Sequence, residues 1–218
     1  MSNVYIPAGS RIFMQSAIGA AQTITGISAA KPPVVTHSGT DPANGDYVVL
    51  TNVFGMGQFE DALTKVANVN AAANTFEMLD QDATGYPAFV SGQFQVVTLG
   101  TEISTASGFM MDGGEQQFAE YNLLWDKMTR RIPSTQSPVD TRIPCIWDPF
   151  DPSSQALRNA GDTGRKLAFK ILLPSGLEIL FSGYVGASGL PSAQNINEVM
   201  QTTASISMAS KPRYIKPV

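Results

Sequence analysis

RKLAFKILLPSGLEILFSGYVGASGLPSAQNINEVMQTTASISMASK, residues 165–211, is the stretch whose reading decides the fold. KLAFKILL (166–173) alternates, meets a Pro-Ser-Gly turn and returns as LEILFSGYVGASG (177–189). Two such runs joined by a short glycine-containing turn predict a β-hairpin. A polar loop, PSAQNIN (191–197), leads into a third run, EVMQTTASISMAS (198–210). Because side chains alternate along a strand, Leu167, Phe169, Ile171 and Leu173 share one face, opposite Lys166, Ala168 and Lys170. Leu177, Ile179, Phe181 and Val185 oppose Glu178, Ser182 and Tyr184, and Met200, Ala204, Ile206 and Met208 oppose Gln201, Thr203, Ser205 and Ser207. One side is a core face. The other is rich in small hydroxyls, and pattern alone allows either an ordinary solvent face or the wetted wall of a channel. None of these strands carries an obvious catalyst.

A chain of 218 residues can form one large β domain or two smaller ones with a sizeable core. Charged residues make up only 15%, below the usual quarter, and such a surface suits packing against copies of itself. The net charge of −4 leaves no basic footprint for gripping nucleic acid. The single cysteine, Cys145, lies in the apolar run IPCIWDP and reads as a small buried hydrophobe rather than a nucleophile. With no signal peptide pattern and no apolar run near the ~20 residues of a membrane span, the expectation is a soluble chain made in the cytosol.

Working outward, residues 1–22 open as an arm and hold one candidate strand around Arg11 to Ala17. From Thr23 to about Val96, short β runs (PVVT, DYVVLTNV, LTKVANV, NTFEML) alternate with turn clusters (DPANGD, NAAAN, DQDATG), which predicts a small self-contained β module. Residues 101–136 begin as a strand, pass a bend at Gly108, Gly113 and Gly114, and continue as a strand from Phe118 to Trp125. VDTRIPCIWDP (139–149) is a further strand. DPSSQALRNAGDTG (151–164) is the one clear helix, with Asp151 or Ser153 as N-cap, Pro152 in the first turn and Gly161 ending it. Being short, it must pack on the sheet, through Ala156, Leu157 and Ala160.

Two resemblances follow. PPVVT, NGDYVVLTNVFGMGQFED and LTKVANVNAAANTFEMLDQDATGYPAFVSG together resemble the small β repeat named after the first-catalytic-cysteine half-domain of ubiquitin-activating enzymes, frequent in phage structural proteins. The resemblance implies an inserted decoration, not ubiquitin chemistry. EISTASGFMMDGGEQQFAEYNLLWDKMTRRIPS (102–134), IPCIWDPFDPSSQALRNAGDTGRKLAFKILLPSGLEILFSGYVGASG (143–189) and NEVMQTTASISMASKP (197–212) resemble the major tail tube proteins of long-tailed, siphovirus-type phages. That family implies a mainly β fold, a tail-tube β-sandwich or barrel with one short flanking helix. On this reading residues 1–22 and 97–218 form the tube domain, and 23–96 an inserted small β-barrel-like domain.

The tail tube resemblance also implies a function. Homohexameric rings would stack into a tube in the virion, through which DNA passes without specific binding. Tape measure, tail terminator and tail-tip proteins would be the other partners, with no cofactor and no membrane. The ring-forming fold is shared with contractile tails, so either tail type fits. Gln201, Thr203, Ser205, Ser207, Glu178 and Ser182 are the expected lumen wall. A flexible loop at Phe109, Met110, Met111, Asp112, Gly113, Gly114 and Glu115, with the segment Met128–Ser137, is the expected ring-stacking device.

Catalytic and metal constellations are weak. His37 has Ser38 and Asp41 nearby, yet no G-x-S-x-G accompanies them, and a turn histidine is expected. Asp80, Gln81, Asp82 and Thr84, like Asp41, Asn44 and Asp46, resemble calcium loops but lack the later bidentate glutamate. No P-loop, dinucleotide fingerprint or Cys/His cluster is present. An enzyme is not expected, and a wall hydrolase would need paired carboxylates. The alternative is a tail decoration or adhesin using Tyr47, Phe54, Phe59 and Tyr86 as a platform for a host-surface glycan.

Overall fold

The computed structural model describes residues 7–125, 127–187, 189–192 and 198–217. In chain order the strands are β1 (Arg11–Met14), β2 (Ala17–Ile18), β3 (Gln22–Ile27), β4 (Val34–Ser38), β5 (Tyr47–Phe54), β6 (Leu63–Asn70), β7 (Thr75–Met78) and β8 (Ser91–Thr98). Then come β9 (Thr101–Glu102), β10 (Met110–Gly113), β11 (Gln116–Tyr121), β12 (Arg130–Gln136) and β13 (Val139–Ile146). Helix α1 (Pro152–Thr163) precedes β14 (Lys166–Leu172), β15 (Glu178–Ala187), β16 (Gln201–Met208) and β17 (Arg213–Ile215). The fold is mainly β with a single α-helix among the described residues, as the sequence led one to expect. The opening arm, at residues 1–6, and most of the polar loop at 191–197 lie outside the described residues.

Strands from β2 to β8 make a seven-stranded sheet in the order β2-β8-β3-β4-β7-β6-β5, and β5 pairs back onto β8. The ladder β3-β4-β7-β6-β5-β8 therefore closes into a small barrel, which leaves those strands no open edge. Phe59, Phe76, Phe94, Leu50 and Met78 fill it. Its tight corners use Asn52, Asp61, Asn68, Asn74 and Asp80, all at positive φ, because a short polar side chain can satisfy nearby backbone groups there. The strands β3 and β8 lie in turn-rich sequence that local pattern does not mark as strand. His37 is a core residue of β4, not a turn residue: it is 3% exposed and lies against the Phe76 and Phe94 rings.

The other sheet runs β10-β13-β16-β15-β14-β1-β9, with β17 on β15. The hairpin β14–β15 pairs Ile171 with Ile179 and Phe169 with Phe181, and those two phenyl rings stack at 5.4 Å. The sheet curls. Edge strand β9 is followed within a few residues by Ala106, which bridges to Cys145 on β13 near the opposite edge. Ser107 N also donates to Pro144 O at 2.8 Å. This closes a roll around Ile12, Met14, Ile143, Phe169, Phe181 and Ile206.

Helix α1 plugs the roll. Asp151 caps it by accepting from the backbone N–H groups of Ser153 and Ser154 at 2.9 and 3.1 Å. The helix runs through Gly161 and stops at Gly164, which takes the left-handed conformation with φ 58. Gly161 is there for proximity: a Cβ on it would sit 3.3 Å from the Ala187 backbone nitrogen of β15. Leu157 and Ala160 are buried beneath it.

Several expected positions shift. Met200 precedes β16 and is exposed, so the core face of that strand begins at Ala204. Residues Met110–Gly113 form a strand rather than a flexible loop, with Phe109 and Met111 packed against the core. The strand expected from Phe118 to Trp125 starts at Gln116 and ends at Tyr121.

The approach of β16 to β15 depends on Gly183, where a Cβ would lie 2.5 Å from Ser207 O and 2.8 Å from Ile206 Cγ2. At Gly186 the nearest such atom is Ser205 O at 3.6 Å. Gly183→Ala should therefore destabilise the protein by about 2 kcal/mol in urea denaturation. Gly186→Ala should stay within about 0.5 kcal/mol of wild type; equal effects would show that the close approach does not matter.

Candidate functional site

The outer face of the roll is divided. Over β14, β15 and β17 it is covered by the small barrel: Ala168, Leu180 and Ile215 pack with Val49, Leu63 and Val97. Leu63, Leu180 and Ile215 are 1%, 0% and 0% exposed, and burial of such side chains contributes about 2 kcal/mol each. Against a typical total of about 5–15 kcal/mol for a domain, the contact is large enough to hold the barrel in place.

Polar groups fix its orientation. Glu178 accepts from Tyr47 Oη and from Lys65 Nζ, both at 2.9 Å, and Lys170 Nζ donates to Tyr47 Oη at 3.3 Å. Ser182 Oγ donates to the Asp61 carbonyl and Lys166 pairs with the Asp61 carboxylate. Arg213 reaches the Gln81 side chain and the Gln58 carbonyl, with its guanidinium 4.7 Å above the Phe59 ring.

This covering corrects part of the expected wall. Ser182 is 3% exposed and Glu178 is half-buried, because both face the barrel. Gln201, Thr203, Ser205 and Ser207 remain exposed along β16. Their ladder partners extend the same face. Ser207 pairs with Asp140 of β13, itself paired with Asp112 of β10, and Ser205 pairs with Arg142. Tyr184 flanks Ser207 on the other side. The strip thus carries Asp112, Asp140 and Arg142 in addition to the hydroxyls, residues that no local pattern assigns to it. Asp112, expected in a loop, belongs here.

The remaining open feature is a ribbon. In the β10–β13 ladder Gly113 faces Val139, and in the β11–β12 ladder Gln116 faces Gln136. The two ladders keep one register across the interruption, where Ser137 N donates to Glu115 O and Glu115 N to Ser137 Oγ, each at 2.9 Å. The kink falls at Gly113 and Gly114, whose φ values of 98 and 80 exclude ordinary side chains. Beyond it β11 and β12 pair only with each other. The expected segment Met128–Ser137 is thus the return half of this ribbon, and of the expected loop only Met110, Asp112, Gly113 and Glu115 are exposed.

The constellations that resembled chemistry are occupied by structure. His37 Nε2 lies 3.2 Å from Asp41 Oδ1 inside the barrel, while Ser38 is exposed. Asp80 accepts from Lys216 N, Asp82 from Thr84 N, Asp46 from Ala43 N and Asn44 from Val69 N. Cys145 is buried, and burial pushes its thiol above the usual range. Among the described residues no group of three His, Cys, Asp or Glu side chains could hold a metal, and no helix is long and apolar enough to cross a membrane. Of the expected aromatic platform, Phe59 is buried with the half-buried Tyr86 ring 5.4 Å from it, Tyr47 faces Glu178, and Phe54 alone of the four is exposed.

The open surfaces of this β-rich chain include a hydroxyl-lined strip and a projecting ribbon. The family follows from comparison: the model described as "Phage tail tube protein, TTP" matches residues 55–217, and the chain belongs to the phage tail tube proteins. This is a family of structural virion components that self-associate, and it is not an enzyme family. The match begins at Gly55, inside the small barrel. No curated protein matches the chain significantly.

Burial, and then the Glu178 carboxylate, hold the Tyr47 phenol well above the usual tyrosine range. The raised value means that its contribution to stability is intact below about pH 10. It is then lost as the pH climbs through the folded-state value. Phenolate absorbance should show one tyrosine titrating late, and Glu178→Gln should bring it down. A late titration unchanged in that variant would separate Tyr47 from Glu178.

Proposed function

We propose that this tail tube protein forms hexameric rings that stack into the tube conducting phage DNA, with the strip Gln201, Thr203, Ser205 and Ser207 facing the lumen. The observation that carries the reading is the division of the roll's outer face. One flank is buried under the barrel, and the other is polar and open although it belongs to the same continuous sheet. In a ring, β10 and its neighbours would pair edge to edge, and closure would leave no strand edge unpaired.

The chemistry of the strip suits a sliding polyanion. Neutral hydroxyls and amides offer phosphates little, and Asp112 and Asp140 would repel them. Like charges facing each other across a ladder cost stability, so their placement is understandable if the repelled group is DNA. Arg142, one cation per subunit on this face, would not overcome that field.

In this arrangement residues 23–96, together with the flanking strands of the barrel, form an inserted decoration on the outside of the tube, without ubiquitin chemistry. Met110 and Asp112 through Glu115 with the ribbon beyond them would carry ring stacking. The tube's ends would meet the tape measure, terminator and tip proteins, in a siphovirus-type tail.

Negative-stain microscopy of the purified chain should reveal rings or tubes with an open centre. A chain that stays monomeric at high concentration would defeat the proposal. Thr203→Lys with Ser205→Lys should leave assembly intact and make the tubes retain duplex DNA in a salt-dependent way. Loss of DNA retention differences between these tubes and wild type would place the strip outside the lumen.

A further inference from the structure

The projecting half of the ribbon exposes Phe118, Tyr121, Leu124, Trp125, Met128 and Ile132. Phe118 pairs with Pro133 and Ala119 with Ile132, adjacent positions that point to opposite faces, so the ribbon is apolar on both sides. Six residues of β11 carry it roughly 20 Å beyond the sheet. A patch of this kind, on a ribbon whose two strands pair with no third strand among the described residues, marks an interaction surface.

A second apolar surface lies at the other end of β13. The ribbon joins that strand at Val139, whereas Ile146 at its far end is exposed beside Phe150, Leu190, Val199 and Met200. Hydrogen bonds gather this cluster: Trp147 N donates to Met200 O at 2.9 Å, Trp147 Nε1 to Gly189 O at 3.0 Å, and Arg158 Nη2 to Pro149 O at 2.6 Å. Phe150 is 83% exposed, and its backbone N–H is held by Asp148 at 2.9 Å. The ring is thus presented outward on a fixed turn.

We infer that the ribbon of one copy docks on the Phe150–Leu190–Met200 surface of the next copy. The proposal rests on the tube reading above and names the surface that receives the ribbon. Two different patches at opposite ends of one strand make a heterologous contact, and such a contact repeats without closing into a dimer. Charge agrees with this pairing. Lys127 and Arg131 lie on the ribbon, and Asp148 flanks the receiving surface. Arg131 is already paired with Glu120 across the ribbon, so the match steers and registers the contact while the apolar side chains hold it.

The sole cysteine makes a direct test possible. In the full chain carrying Cys145→Ala, the pair Ile132→Cys and Phe150→Cys should give, on mild oxidation of assembled material, a covalent ladder well beyond the dimer. Each single variant should stop at the dimer. Separately, Phe150→Asp with Met200→Asp should raise the concentration needed for assembly about tenfold or more, with the monomer's circular dichroism unchanged. If wild-type tubes form but the double cysteine variant shows no bands above the dimer and the aspartates leave assembly unchanged, the ribbon docks elsewhere and this contact is wrong. If the wild-type chain forms no polymer at all, the tube reading falls together with it. Binding of the monomer to anionic phosphatidylglycerol vesicles, abolished by Trp125→Ala while the ladder is absent, would assign the ribbon to a membrane and overturn the proposal.

Discussion

The first half of strand β15, through Gly183, must be buried on both faces, and the rest of the structure follows from that constraint. Ile179, Phe181 and Val185 face the core of the roll, while Leu180 and Ser182 face the barrel. Along one edge it pairs with β14 and along the other with β16 and β17. A strand this enclosed can leave no polar group without a partner. Ser182 finds the Asp61 carbonyl, and Glu178 finds Tyr47 and Lys65. These bonds position the barrel, so the same strand that completes one core also fixes the second module against it.

The consequence for function is a surface with distinct regions. Hydrophobic burial takes one flank of the roll, which leaves the polar strip of β16, β13 and β10 as its open flank. The ribbon is the opposite case. It continues the register of the sheet as far as Gln116 and then shifts by a bulge, and among the described residues its two strands pair with no third strand. An isolated two-stranded ribbon is marginal in water, and one bearing tryptophan, leucine and phenylalanine outward gains by having them covered. In a family of self-associating tail tube proteins, the simplest covering is another copy.

Much of this was legible in the text of the chain. Alternation in 166–173 and 177–189 defined the hairpin and its inner face, because a period of two survives wherever a core is on one side. Helix α1 announced itself by Asp151 and Pro152. Its end differs from the expected Gly161, since a glycine that ends a helix and a glycine that lets a helix approach a strand look alike in one dimension. Gly161 does the second, and Gly164 the first. His37 and the Asp80–Thr84 turn resembled sites for a similar reason. Their neighbours in sequence suggested ligands, but their partners in space are Phe76, Phe94, Lys216 and Lys31.

The class of fold, the inner face of the central hairpin and the family resemblance are all readable along the chain, because each rests on local pattern and turn chemistry. Which outer residues stay open depends on how distant segments pack. Ser182 and Ser207 are both hydroxyls on the outer face of neighbouring strands, and nothing along the chain separates them. One is buried because residues more than a hundred positions away fold into a barrel above it; the other is exposed because that barrel does not reach β16. Burial depends on what arrives from elsewhere in the chain, and strand periodicity records only which way a side chain points.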